Sequence, residues 1–124
     1  MFLTFHNYDQ STLYPYGYKK GETKDADDQK KLALKGRDAA SWVNGRSYRV
    51  GSAAKMLGKP AAGGSDDWAY ETAKIKYSYT IELPPNGLGQ PYPGLEGFKL
   101  DESEAEGVGK EALAMTAAMI EGLN

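Results

Sequence analysis

The run "KIKYSYTIEL", residues 74–83, most constrains the fold, because apolar and polar side chains alternate along it. One face carries Ile75, Tyr77, Tyr79 and Ile81, and the other carries Lys76, Ser78, Thr80 and Glu82. β-Branched and aromatic residues at alternating positions are typical of a half-buried strand. Such a strand needs partner strands and a layer that covers its apolar face. The run therefore predicts a sheet, with Glu82 at the end of its polar face.

A second alternating run, "FLTFHNY", begins at Phe2 and places His6 near its carboxyl end. The next segment, "STLYPYGYKKG", is predicted to be a short extended piece followed by a turn. Further along, 48–50 is predicted to be a short strand and 52–57 either a short helix or an extended piece. "GGSDDWAYE" is predicted to be a loop leading into a short helix, with Ser65 or Asp66 as its N-cap.

Two long segments, 25–44 and 102–122, have apolar residues at helical spacing and acidic residues in their first turns. The apolar stripe of the second helix consists of Val108, Ala112, Met115, Met119 and Leu123. Between the last strand and this helix, "PPNGLGQPYPGLEGF" contains too much Pro and Gly for regular structure. The order of strands and helices predicts an α/β layered sheet within one domain, residues 1–124.

Composition excludes several classes of function. The chain has 124 residues, no cysteine and one histidine, so it has no disulfide, no thiol nucleophile and at most one imidazole for a metal. Its basic residues are interleaved with acids, without the basic stripe that nucleic acid needs. No apolar run approaches the ~18 residues that span a bilayer. We therefore expect neither a nucleic-acid partner nor a membrane span.

Two residues at predicted strand ends are candidates for chemistry. Sites in open α/β sheets gather at the carboxyl ends of strands, where His6 lies. A lone histidine there is nevertheless more often structural. Glu82 follows the small Ser78 and Thr80, which leave space in front of the sheet, so it is either a general base with a raised pKa or a solvated residue.

Asp66 and Asp67 follow Gly63-Gly64, a pair that permits close backbone approach. The sequence leaves two interpretations open. Acids at this position commonly cap a helix, whereas the glycines also suit a ligand pocket.

Three segments in this order resemble the zinc metallocarboxypeptidases of the carboxypeptidase A and B type. "FHNYDQSTLYPYGY" is similar to the segment with the third zinc ligand, "PAAGGSDDWAY" to the corresponding segment of carboxypeptidase B, and "IKYSYTIEL" to the strand that ends in the catalytic glutamate. The resemblance implies the C-terminal portion of a mixed-sheet α/β/α zinc carboxypeptidase fold with a long C-terminal helix. It also implies that the N-terminal portion of the catalytic domain is absent from 1–124.

The resemblance assigns roles residue by residue. His6 would be a zinc ligand, and Glu82 would be the catalytic general base and later the acid for the leaving amine. Asn7, partly through its backbone carbonyl, and Tyr8 would line the substrate cleft. Asp66 would lie at the base of the pocket for the terminal side chain, which implies a preference for C-terminal Lys or Arg. The same pocket would be lined by Leu13, Gly17, Ala61, Gly64 and Thr80.

The chain departs from the family pattern in two ways. The family's His-x-x-Glu zinc ligands lie upstream, so this chain would supply one of the three protein ligands to Zn²⁺. The usual cleft-closing tyrosine lies six residues before the serine of Gly-Gly-Ser, a position that Lys59 occupies here.

Two functional hypotheses follow from the resemblance. The first is a zinc-dependent carboxypeptidase fragment that acts on peptide or protein C-termini, is inactive without its N-terminal portion, and belongs to a secreted enzyme. The second is a non-catalytic, stand-alone α/β binding or structural domain derived from that family.

Overall fold

A computed structural model describes residues 1–85 and 96–123, and of Glu96 the backbone only. Four strands form one sheet: β1 Phe2–Asn7, β2 Ser11–Tyr14, β3 Arg49–Ser52 and β4 Ser78–Leu83. Four α-helices accompany it: α1 Ala26–Asn44, α2 Ala53–Met56, α3 Ser65–Glu71 and α4 Ala105–Glu121. Short 3₁₀ helices cover Glu96–Phe98 and Glu102–Glu104.

The sheet is mixed, with the strand order β1-β4-β2-β3. The strands β1 and β4 run parallel, as do β2 and β3, while β2 and β4 run antiparallel. In the part of the chain that the structure describes, no strand pairs with the outer edge of β1. Phe5 on that strand is 44% exposed. The expected mixed α/β sheet with a long C-terminal helix is confirmed.

Helices α1 and α4 cover one face of the sheet. They run antiparallel, because Asn44 at the end of α1 donates from Nδ2 to the carbonyl of Gly107 at the start of α4 (3.1 Å). The core between this layer and the sheet consists of Tyr14, Ala26, Leu32, Ala33, Ala40, Tyr48, Tyr79, Ile81, Met115 and Met119. Tyr79 and Ile81 are fully buried in it, as the alternation along β4 predicts.

Helix α3 lies on the opposite face of β4. Ser78, on the polar face of β4, donates its hydroxyl to the carbonyl of Asp66 over 2.8 Å. The polar face of β4 is therefore partly covered, and a cavity lies beside α3 in front of Thr80 and Glu82.

Three predictions from the sequence are wrong in detail. The strand β4 begins at Ser78, later than predicted: residues 74–77, in which Lys74 has a left-handed φ of 57°, lie outside the strand, although the Tyr77 carbonyl still accepts a hydrogen bond from the Phe2 N–H (2.8 Å). The N-cap of α3 is Gly64, and the first turn of the helix contains Asp66 and Asp67, both buried. The apolar stripe of α4 includes the buried Glu111, whereas Leu123 is 37% exposed.

The remaining elements agree with the sequence to within a few residues. Helix α1 ends at Asn44, as predicted, and Gly45 with a left-handed φ of 75° is its C-cap. Most of the predicted Pro/Gly-rich loop, residues 86–95, lies outside the described residues. Among the described helices, none is long and apolar enough to cross a membrane.

Candidate functional site

The register of the sheet brings His6 and Glu82 together. In the parallel pair β1–β4 the two residues are partners, at the carboxyl ends of both strands. The antiparallel pair β2–β4 places Leu13 opposite Thr80 on the same face of the sheet. Residues that are distant in sequence therefore share one end of the sheet, the usual place for a site in open α/β sheets.

Eight of the predicted site residues line a single cavity of about 340 Å³. They are His6, Leu13, Gly17, Ala61, Gly64, Asp66, Thr80 and Glu82. Strands β1, β2 and β4 form its floor, α3 closes one side, and the 57–64 segment between α2 and α3 forms its rim. One end of the cavity thus carries an imidazole and a carboxylate, and the other carries Asp66.

Asp66 is a buried acid with an incomplete set of partners. Its side chain is 4% exposed, and its Oδ2 has no hydrogen-bond partner in the described residues. Burial raises the pKa of Asp66, and the neighbouring Asp67 charge raises it further, while the Thr80 hydroxyl and backbone N–H groups lower it. A buried carboxylate oxygen without a donor costs free energy that a cationic ligand would recover.

The cavity wall next to Asp66 depends on a glycine. A Cβ atom on Gly64 would lie 2.6 Å from Oδ1 of Asp66, so any other residue at this position would displace the Asp66 carboxylate. The close approach of the backbone at Gly64 therefore shapes the space around the buried acid.

Glu82 is a half-buried carboxylate at the other end of the cavity. Burial raises its pKa, the charge of Asp9 raises it further, and the neighbouring His6 lowers it. A carboxylate whose pKa moves towards neutrality is suited to accept and return a proton. His6 itself is exposed, and its Nε2 lies 3.1 Å from the Thr4 hydroxyl oxygen.

The other three predicted residues lie outside this cavity. Asn7 donates from Nδ2 to the carbonyl of Phe98 (3.2 Å), and the Tyr8 ring packs edge-on against the Phe98 ring. Tyr8 lines an adjoining cavity of about 350 Å³, which shares Leu13 and Glu82 with the first. Lys59 lines a third cavity with Lys20 and Lys55, across the 57–64 segment.

Six further residues line the main cavity, and of these the sequence had singled out only Gly63 and Asp67, as parts of a possible ligand pocket. They are Ala53, Leu57, Ala62, Gly63, Ser65 and Asp67. The small residues among them have no side-chain chemistry from which the sequence alone could assign them to a site. Asp67 was visible as half of an acidic pair, but the sequence could not separate a capping acid from a buried one.

The described residues do not form a metal site by themselves. They contain no group of three or more His, Cys, Asp or Glu side chains placed to hold a metal ion. His6 is the only histidine of the chain, so zinc bound in the manner of a two-histidine site would need ligands from elsewhere.

Comparison with known proteins identifies the family that has this arrangement. The sequence profile of the zinc carboxypeptidases matches residues 1–115. The chain belongs to the zinc carboxypeptidase family. It is 39% identical to carboxypeptidase B of Astacus astacus over 111 residues, which are 90% of this chain and 34% of the relative. It is 38% identical to carboxypeptidase B of Canis lupus familiaris over 112 residues, which are 90% of this chain and 25% of the relative.

Solved carboxypeptidase structures have the same fold. Bovine thrombin-activatable fibrinolysis inhibitor, in complex with tick carboxypeptidase inhibitor, superposes with a TM-score of 0.84 at 32% identity. This match covers 96% of the chain and 38% of the solved protein. Carboxypeptidase A from Helicoverpa armigera superposes with a TM-score of 0.82 at 25% identity. This match covers 97% of the chain and 29% of the solved protein. The chain thus spans between a quarter and two fifths of the length of these relatives and solved structures.

Proposed function

We propose that this chain is the C-terminal portion of a secreted zinc carboxypeptidase domain that hydrolyses the last peptide bond of substrates with a basic terminal residue. The observation that carries the proposal is the single cavity shared by Asp66, His6 and Glu82. The similarity to two carboxypeptidases B supports the basic preference. Among the described residues no strand pairs with the outer edge of β1, which supports a further portion of the domain that extends the sheet.

Asp66 is the proposed specificity residue. An ammonium or guanidinium group in the cavity would give its Oδ2 the donor that it lacks. The apolar stem of Lys or Arg would lie along the small and apolar walls. In this proposal those walls are Leu13, Gly17, Ala61, Gly64 and Thr80.

Glu82 is the proposed proton carrier. Its half-buried carboxylate accepts the proton of the attacking water and later returns it to the leaving amine. Asn7 and Tyr8 would line the continuation of the cleft towards Phe98.

His6 is proposed to contribute one zinc ligand, with the remaining ligands supplied by the absent portion of the domain. In peptidases zinc supplies Lewis-acid polarisation of the scissile carbonyl. The described residues do not hold the ion alone, so we expect the isolated chain to be inactive.

A chimera tests the proposal directly. This chain replaces the matched 111-residue segment of Astacus astacus carboxypeptidase B, and hydrolysis of peptides ending in Arg is compared with peptides ending in Phe. We expect cleavage of the Arg peptide. We also expect kcat to fall by about 10²–10⁴-fold in Glu82→Gln. Asp66→Asn should lower kcat/KM for the Arg peptide by at least about tenfold, or about 1.4 kcal/mol.

Asp38→Asn is the matched control, because Asp38 is an exposed acid on α1 paired with Arg37. It should leave both activities unchanged. A folded chimera that cleaves neither peptide, or that prefers Phe, contradicts the proposal.

A second candidate is a stand-alone binding or structural domain. The single histidine and the lack of a metal cluster in the described residues favour it. The activity of the chimera separates the two candidates, and calorimetry of the isolated chain with zinc tests the proposed ligand set. Stoichiometric binding that His6→Ala abolishes would mean that other residues of the chain complete a site, which contradicts the ligand set proposed above.

A further inference from the structure

The lysine cavity, which is lined by Lys20, Lys55 and Lys59, lies across the 57–64 segment from the main cavity. Its volume of about 440 Å³ lies within the range of about 300–1,000 Å³ that is typical of small-ligand pockets. Lys59 belongs to the segment itself, whereas residues 61–64 line the main cavity. One stretch of chain therefore separates a cavity that contains acids from a cavity that contains lysines.

The three ammonium groups around the lysine cavity have no acid paired with them. Lys20, Lys55 and Lys59 are exposed, and among the described residues none of them forms an ion pair. The ammonium groups of Lys76 and Lys110, in contrast, each have an acidic partner. Like charges around one space repel one another, so a bound anion lowers the electrostatic free energy of this cavity.

Glu22 is the acid in the lining of the lysine cavity. Its carboxylate also acts on Tyr14: burial, and then the charge of Glu22, raise the pKa of the Tyr14 hydroxyl to about 12. One carboxylate offsets the charge of one lysine, so three lysines and one acid leave the lining with an excess of positive charge.

Ser52 adds a hydroxyl to the wall of the lysine cavity. It is 2% exposed and precedes α2, but its side chain forms no capping hydrogen bond with that helix. Among the described residues, no other group hydrogen-bonds to this hydroxyl. A hydroxyl that the fold leaves without a partner is available to donate to an oxygen atom of a ligand.

This set of donors fits a phosphate group better than a carboxylate. A phosphate monoester carries a charge of about −1.5 to −2 at pH 7 and has three strong acceptor oxygens, so several ammonium groups and a hydroxyl bind it together. A carboxylate has a single charge and two oxygens. Lysine binds phosphate as a point charge, which requires no fixed planar geometry. The cavity is larger than a phosphate group, which leaves space for the molecule that carries it.

We propose that the lysine cavity is a binding site for a phosphate group, either free or as the monoester of a small molecule. The ammonium groups of Lys20, Lys55 and Lys59 and the Ser52 hydroxyl bind its oxygens. This site is separate from the proposed substrate cavity, and the inference does not depend on peptidase activity. Because Lys59 belongs to the 57–64 segment, a bound phosphate holds the rim of the main cavity from its outer side.

The test is an NMR chemical-shift titration of the 124-residue chain with inorganic phosphate and with glycerol 3-phosphate, at an ionic strength held constant with sodium chloride. We expect saturable shifts that are largest at the amides of Lys20, Ser52, Lys55 and Lys59. Tighter binding of glycerol 3-phosphate would identify an ester as the ligand, and equal binding would identify free phosphate. Both results support the site. Glycerol, which lacks the phosphate, should cause no shifts.

Substitutions in the cavity should weaken phosphate binding. Lys55→Gln and Lys59→Gln should each weaken it by at least about tenfold, because each removes a charged donor. Both side chains are exposed, so these variants should fold. Ser52→Ala should weaken binding by about threefold, because a neutral donor is lost. Lys110→Gln is the matched control: it makes the same change in net charge on α4 and should leave binding unchanged.

Two results would overturn the inference. If the shifts do not saturate, or if Lys110→Gln weakens binding as much as Lys55→Gln does, phosphate responds only to the net charge of the chain. If the shifts are centred on His6, Asp66 and Glu82, the anion binds in the main cavity. The chimera described above tests the proposed function, which stands in either case.

Discussion

Two buried acids in this chain have opposite surroundings. Glu111 on α4 is 0% exposed and is fully hydrogen-bonded, by the Tyr48 hydroxyl at 3.0 Å, by Asn44 Nδ2 at 2.8 Å and by Arg46 at 3.1 Å. Asp66 is almost as buried, but its Oδ2 has no hydrogen-bond partner among residues 1–85 and 96–123, and its neighbour Asp67 carries the same charge. An acid whose partners are all inside the fold serves stability, whereas one that lacks a donor is prepared for a ligand.

The largest effect is expected from Glu111→Ala. This change leaves Arg46, Asn44 and Tyr48 without their common acceptor inside the packed layer, and it should lower the free energy of unfolding by about 3–5 kcal/mol. Urea unfolding measures it. Glu106→Gln is the control, because Glu106 is an exposed acid on the same helix paired with Lys110. Equal stability of the two variants would mean that the buried acid of α4 contributes nothing.

A smaller loss is expected from Tyr48→Phe. Removing the hydroxyl takes one donor from the Glu111 carboxylate, and a hydrogen bond to a charged group contributes about 1.5–3 kcal/mol. The double variant Tyr48→Phe/Glu111→Ala should cost less than the sum of the two single losses, because both remove the same bond. Additive losses in urea unfolding would contradict the direct contact.

Asp66→Asn should raise the free energy of unfolding, whereas the two changes above lower it. Replacing a buried carboxylate whose Oδ2 has no donor among the described residues removes a like-charge repulsion, so the free energy of unfolding at neutral pH should rise by about 1 kcal/mol. Urea unfolding of Asp66→Asn and wild type measures this gain. Asp38→Asn is the control and should leave the free energy of unfolding unchanged. A loss of stability on a par with Glu111→Ala would remove the contrast between the two acids.

The smallest expected effect is the pH dependence of the difference in free energy of unfolding between Asp66→Asn and wild type. Burial, and then the Asp67 charge, raise the pKa of Asp66, so the folded chain holds this proton more tightly than the unfolded chain. The resulting stability is fully present below the unfolded pKa of about 3.9 and is lost as pH rises through the folded pKa. The free energy of unfolding of Asp66→Asn should therefore exceed that of wild type by an amount that grows with pH. Glu82, whose pKa is also raised, titrates in both proteins and cancels in the difference. An advantage that is constant between about pH 4 and pH 8 would contradict the raised pKa of Asp66.

Prediction from the sequence succeeded where local periodicity decides the structure. The period of two along 78–83 predicted that Tyr79 and Ile81 would be buried and that Thr80 and Glu82 would lie on the other face. It failed at 74–77, where the alternation continues but the chain lies outside the strand and Lys74 has a left-handed φ. Acids in the first turn of a helix look alike in sequence, so a capping acid, the hydrogen-bonded Asp67 and the incompletely hydrogen-bonded Asp66 could not be distinguished.

The sequence by itself determined the strand and helix types, the family resemblance and the identity of the acids. These depend on side-chain chemistry and on spacing within a few residues. The tertiary structure alone decided which acid is satisfied, because the donors to Glu111 come from residues 44–48 and those to Asp67 come from Gly17 and Tyr18. It also placed His6 beside Glu82 through the register of two strands that are far apart in the chain. Hydrogen bonding and desolvation act through space, so the local pattern that predicts a helix does not reveal whether a carboxylate on it finds a donor.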